Sequence, residues 1–193
     1  MNDGDIRRVP AALAAILEDT GRLGFTMASE PKTGSLLRSL AASKPGGRFL
    51  ELGTGTGVGT AWLLDGMDAT SRLDSVDNES KVQDVARHHL GRDPRVTFHC
   101  ADGAAFLARQ PPRQFDLVYA DAWPGKFDHL GPALDLVARG GIYFIDDLLP
   151  QPNWPEGHAP KVEALVRDLD NRKEFAATRL AWASGLMIVV RVS

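Results

Sequence analysis

From Arg48 onward the apolar positions alternate between short continuous runs and stripes at helical spacing. GRFLEL is a strand-like run, a Gly-rich turn follows it, and Thr60 to Met67 is patterned as a helix. SRLDSVD, RVTFHC, FDLVYAD and GGIYFIDD read as further strands, separated by helices over Glu79 to Leu90, Ala104 to Arg109 and Lys126 to Ala138. Lys161 to Asn171 predicts one more helix. FAATRLAW and GLMIVVRV, divided by Ala183, Ser184 and Gly185, read as a closing hairpin. The alternation predicts an α/β fold: a doubly wound, seven-stranded, Rossmann-like sheet, mostly parallel, whose last strand is antiparallel.

Ahead of this pattern, Ile6, Val9, Leu13, Ile16 and Leu17 lie at helical spacing over residues 5–20, with Gly21 as a stop. GFTMASEPKTG is loop-like, and Thr33 or Ser35 can cap a helix through about Ala42. Residues 1–30 thus read as an N-terminal helix and covering segment, and 31–193 as the main domain. The leading helix is a candidate lid or homodimer element. LLPQPNWPEGHAP, from Leu148 to Pro160, exceeds an ordinary connection and predicts a lid or binding loop directly after a strand end.

Composition narrows the function classes. The chain has 193 residues, which at ~150 per domain is about one. A formal net charge of -3 without a basic block argues against a nucleic-acid partner, which needs a cationic stripe to displace counterions from phosphates. Cys100 is the single cysteine, so neither an intramolecular disulfide nor a cysteine zinc site can form, and a reducing, cytoplasmic setting fits. No apolar run approaches the ~20 residues needed to cross a bilayer, so no membrane partner is expected.

The 19 glycines are not spread evenly. Gly53, Gly55, Gly57 and Gly59 interleave with Thr54, Thr56 and Val58 between a strand and a helix, where a turn can bring ligand close to backbone. Asp77 closes the next strand, at the distance where an acid can accept from ribose hydroxyls, and Asp102 closes another, placed to reach an adenine amino group. Helix capping is the alternative for each. The spacing is GxGxG rather than GxGxxG, and Glu51 just before it would repel a pyrophosphate. A cationic ligand suits it better, which ranks a nicotinamide-dependent reductase last.

On these motifs the chain resembles the class I S-adenosylmethionine-dependent methyltransferases. More narrowly it is similar to the cation-dependent O-methyltransferases acting on catechols and caffeoyl-coenzyme A. FLELGTGTG resembles the first family motif, VDNES with Asp77 and Asn78 the ribose motif, and CADG with Asp102 and Gly103 the adenine motif. FDLVYAD and GGIYFIDD resemble the fourth and fifth. The resemblance implies that Met27 and Ser29 lie in a segment crossing the cofactor. It also implies that Thr54, Thr56 and Gly59 face its carboxylate end, with Thr60 able to replace a serine common at Gly59.

Asp121, Asp146 and Asp147 end two strands, and if these are neighbours the carboxylates share one crevice, where hard oxygen ligands suit Mg²⁺, Ca²⁺ or Mn²⁺. The resemblance implies a divalent ion there, on Asp121 and on an Asp-Asn pair that is Asp146-Asp147 in this chain. It also implies a lysine base three residues after Asp121, where Pro124 stands. A reshaped loop presenting Lys126 is the expectation, with His129 or the ion alone as alternatives. Trp123, Trp154 and His158 are candidate walls of an acceptor pocket. His88 and His89 are expected on an exposed helix face, and Cys100 is assigned no chemistry. The expected activity is O-methylation of a small phenolic or catechol-like hydroxyl, assisted by a divalent cation. A metal-independent methyltransferase with another acceptor and a non-catalytic cofactor-binding protein are the alternatives.

Overall fold

A computed structural model describes residues 2–6 and 8–193. The strands are β1 (Arg48–Leu52), β2 (Arg72–Asp77), β3 (Val96–Cys100), β4 (Phe115–Ala120), β5 (Val137–Ile145), β6 (Phe175–Leu180) and β7 (Leu186–Arg191). They form one sheet in the order β3-β2-β1-β4-β5-β7-β6. β1 to β5 pair in parallel, and β7 runs antiparallel to both β5 and β6. The order reverses between β1 and β4, the place where such sheets open a ligand crevice beyond the carboxyl ends of the strands.

Alternation along the central strands divides two apolar layers. Phe49 of β1 and Leu117 and Tyr119 of β4 face the layer that holds Trp62, Leu37 and Ile16. Leu50, Leu52, Val118 and Ala120 face the opposite layer with Tyr143, Leu134 and Leu165. Glu51 shares the Phe49 face and pairs in register with Tyr119. That period-two step puts a carboxyl inside the core.

The helices are α1 (Leu13–Leu23), α2 (Pro31–Ala42), α3 (Val58–Gly66), α4 (Ser80–Leu90), α5 (Gly103–Leu107), α6 (Trp123–Lys126), α7 (Leu130–Asp135) and α8 (His158–Asn171). Two expectations need correction. The leading helix expected over 5–20 begins only at Leu13 and runs through Gly21 to end at Gly24, which adopts φ 70. The helix expected over 126–138 is broken, because Pro124 and Gly125 are non-helical inside α6 and His129 takes φ 59 before α7. Its expected tail is already β5, whose first residue Val137 pairs with Phe115. Among the described residues no helix is long and apolar enough to cross a membrane.

α2 lies against α3 through Gly34, where an added Cβ would overlap the buried indole of Trp62. Gly34→Ala should therefore lower stability by about 1–3 kcal/mol, the cost of overpacking a filled core. Urea unfolding checks this, and an unchanged midpoint would mean that the two helices can separate.

Candidate active site

β1 passes into α3 through Gly53, Gly55 and Gly57, at φ 99, 52 and 92. At Gly53 the need is steric as well as conformational: a Cβ there would lie 2.6 Å from the carbonyl oxygen of Asp121. Beside it the Asp121 amide donates to the Leu52 carbonyl at 2.9 Å. Asp77 braces the turn from β2, its Oδ2 accepting from the Gly55 amide at 2.8 Å and its Oδ1 from the Glu79 amide at 2.9 Å. A cavity of about 70 Å³ opens here, lined by Gly53, Asp77, Asn78, Gly103, Ala122 and neighbouring backbone. Asp102 is not brought into it. That residue is exposed and caps α5, accepting from the Ala105 amide at 2.8 Å.

The hydroxyls of Thr54 and Thr56 turn inward. Thr54 Oγ1 lies 2.7 Å from Ser75 Oγ and accepts from Gln83 Nε2 at 3.0 Å, while Thr20 donates to Thr56 Oγ1 at 2.8 Å. The amides of Gly53 and Thr54 donate to the Val76 carbonyl and that of Gly57 to the Thr54 carbonyl, so these side chains and most of the turn's backbone are engaged within the fold. Glu51 is fully buried, and its Oε2 accepts from Thr60 and, at 2.6 Å, from Ser75. Its Oε1 has no partner. Burial pushes the carboxyl up to about 8, against the pull of the Ser75 and Thr60 hydrogen bonds. A Cβ on Gly59 would sit 2.6 Å from Glu51 Oε1 and 2.9 Å from the Tyr119 ring, so a serine has no room there. The Thr60 hydroxyl, expected to replace that serine toward the cofactor, is buried and donates to Glu51 instead.

Three acids do come to the carboxyl ends of β4 and β5, but with donors already on them. Tyr119 Oη lies 3.0 Å from Asp121 Oδ2 and 3.2 Å from Asp146 Oδ2, with Ser29 Oγ 2.9 Å from the phenol. Ser184 donates to Asp146 Oδ1, which also accepts from the Asp147 amide at 2.7 Å. Asp147, at φ 58, accepts at Oδ1 from Trp154 Nε1 at 2.7 Å. Burial, reinforced for Asp121 by the charge of Asp146, raises both Asp121 and Asp146 above the ordinary carboxylate range. The structure gives the expected metal set Asp121, Asp146 and Asp147 no support: among the described residues no group of three acidic, His or Cys side chains is disposed to hold a metal ion.

The second cavity, about 410 Å³, is lined by Met27, Asp121, Lys126, Trp154 and His158 among others. Ala122 is a wall of both cavities. The irregular α6 turns Lys126 inward, where it is 4% exposed with Nζ 3.5 Å from the Asp147 carbonyl and 3.9 Å from Asp147 Oδ2. His129 is exposed and is not among the lining residues. Trp154 tilts over His158 with ring centroids 4.4 Å apart. Trp123 is more open, 45% exposed, under the Lys161 ammonium. Met27 stands at the rim, 68% exposed. His88 is exposed as expected, but His89 is half-buried and within 2.8 Å of Asp19. Sequence reading missed Tyr119 and Ser184 as site residues. The signal for Tyr119 was its place two positions before Asp121 on one strand face.

Residues 50–148 match the family model described as a methyltransferase domain. A protein of Mycobacterium ulcerans assigned as an O-methyltransferase is 32% identical over 171 residues, 83% of this chain and 76% of its own. One of Mycobacterium marinum, assigned likewise, is 32% identical over 120 residues, 60% of this chain and only 54% of its own length. Among solved structures, the O-methyltransferase TomG of Streptomyces achromogenes with bound S-adenosylmethionine superposes with a TM-score of 0.83 at 21% identity, covering 99% of this chain and 94% of that one. The Bacillus cereus O-methyltransferase with S-adenosylhomocysteine gives 0.82 at 19%, covering 97% and 93%. At those identities the structural likeness is one of fold.

Glu51 gives a pH signature. Its native value, pushed up to about 8, lies above the ordinary carboxyl value of 4.5, so between those limits the folded state holds a proton that the unfolded chain has lost. Stability must therefore fall as pH rises through that window, by at most about 1.4 kcal/mol per pH unit for one proton. Glu51→Gln should remove this share of the slope between pH 5 and 8 in urea titrations; an identical slope in both proteins would place the proton elsewhere.

Proposed function

This chain belongs to the methyltransferase-domain family, with O-methyltransferases as its relatives, and from that premise we propose that it methylates a hydroxyl of a small phenolic acceptor with S-adenosylmethionine as donor. The observation that carries the reading is the adjacency of the two cavities, which share Ala122 as a wall, one beside the Gly-rich turn and Asp77, the other beside Asp121 and Lys126. A transfer in line between two ligands needs their sites side by side.

The residues beside the smaller cavity fit the donor. Asp77 keeps a free lone pair on each oxygen for the ribose hydroxyls. When bound, S-adenosylmethionine supplies an electrophilic methyl on a sulfonium.

On the acceptor side, Asp121 takes the hydroxyl proton, a role suited to a carboxylate whose burial makes it more basic than usual. The Lys126 ammonium balances the developing oxyanion. Its burial keeps that interaction out of water, where it would be screened. No divalent ion enters the reading, because Ser184, Tyr119, Trp154 and the Asp147 amide already engage the carboxylates.

Calorimetric titration with S-adenosylhomocysteine tests the donor side; absence of binding would sink the reading. Asp77→Ala should weaken that binding by about tenfold or more, the scale of a lost charge-assisted hydrogen bond. Lys126→Met should leave it unchanged while lowering kcat on a catechol acceptor by about a hundredfold. Turnover after dialysis against EDTA should stay within about twofold of the untreated rate, on the scale where 1.4 kcal/mol is a factor of ten. Loss with EDTA and recovery with Mg²⁺ would restore the ion.

A further inference from the structure

His158 is the one buried titratable side chain of the larger cavity whose polar atoms have no hydrogen-bond partner at all among the described residues. It is 6% exposed, and neither Nδ1 nor Nε2 is bonded. A buried imidazole left this way forfeits the hydrogen bonds it would make in water, so its place needs a compensating ligand. The ring cannot rotate away. Trp154 lies over one side at 4.4 Å, and Phe127 meets it edge-on at 4.9 Å.

The groups around it restrict what that ligand can be. Asp147 Oδ2 lies 3.7 Å from Nε2, and the same oxygen lies 3.9 Å from Lys126 Nζ. Lys126 and Lys161 are the cations facing the ring, and burial, the leading influence, keeps the imidazole below its ordinary value. A neutral imidazole offers one donor and one acceptor, and a hydroxyl, itself donor and acceptor, can pair with either nitrogen. Lys126 and His158 therefore flank one carboxylate oxygen and both line the cavity.

We propose that His158 is a specificity-determining residue that holds a second hydroxyl of the acceptor while Lys126 faces the oxygen being methylated. The assignment rests on the O-methyltransferase reading and deepens it. It also supplies a way to select an acceptor with two oxygens where the carboxylates do not form a chelating metal set. Sites built to bond a hydroxyl reject analogues lacking it far more strongly than apolar pockets reject a missing methylene, because the protein group is left unpaired.

The test compares 4-methylcatechol with 4-methylphenol. The wild-type protein should favour the diol in kcat/KM by about a hundredfold or more. His158→Phe keeps a ring between Trp154 and Phe127 but removes both nitrogens, and should reduce that preference to below about tenfold, mostly by raising KM for the diol. S-adenosylhomocysteine affinity should be unchanged in this variant. His158→Gln, which restores a polar atom, should recover part of the preference, and it decides the matter if His158→Phe proves unstable. An undiminished preference in either variant, or none in the wild type, would overturn the assignment while leaving methyl transfer intact. Binding of S-adenosylhomocysteine without turnover of either compound would overturn it along with the phenolic acceptor, and failure to bind it would remove the parent reading.

Discussion

Two backbones touch where β1 and β4 leave the sheet, and the site is built around that contact. Gly53 rests against the Asp121 carbonyl, and the Asp121 amide closes onto Leu52. Because β1 and β4 flank the reversal in strand order, their following segments must diverge to opposite sides. Any side chain at position 53 would push Asp121 away from β1. The distance between the Gly-rich turn and the acids of β4 and β5 is thus fixed by main chain, and Ala122, the next residue, becomes the wall common to both cavities.

Around this point the protein concentrates acidic groups under little water. Glu51, Asp121 and Asp146 are all raised chiefly by burial, and the Tyr119 ring stands between Glu51 and the other two. One phenolic proton cannot satisfy two ionised carboxylates together, so the Asp121–Tyr119–Asp146 arrangement favours retention of a further proton within it. Lys126 is the buried cation beside these groups.

The sheet was legible because the central strands are buried on both faces and read as continuous apolar runs, as β4 and β5 do. The Gly-rich turn, Asp77 and the inward Lys126 were legible for local reasons, in spacing or in a Pro-Gly break. What sequence could not reveal depends on partners distant along the chain. The convergence of three acids at two strand ends looks like a metal site until Ser184, 38 positions from Asp146, is seen to occupy one oxygen. Asp102 shows the same limit at short range, since capping and ligand binding place identical demands on a residue at a strand end. The 126–138 segment misled because its apolar positions fit a helix, while Pro124, Gly125 and the left-handed His129 set the backbone.

The antiparallel last strand explains how Ser184 reaches the site. A further parallel strand would begin at the opposite edge of the sheet, far from the carboxyl ends. Because β7 runs against β5, its start pairs with the end of β5, Met187 opposite Ile145, and the preceding turn must lie at the ligand-facing edge. That turn does two things there. Ser184 fixes Asp146 through its hydroxyl, and the carbonyls of Ser184 and Gly185 accept from the amides of Leu149 and Leu148 at 2.8 and 3.0 Å. The long loop carrying Trp154 toward His158 is therefore anchored at its base to the same turn that orients the acid beneath it. A disturbance of the β6–β7 hairpin should reach the acceptor cavity through both contacts together, whereas the Gly-rich turn, held from β2 by Asp77, is supported independently of it.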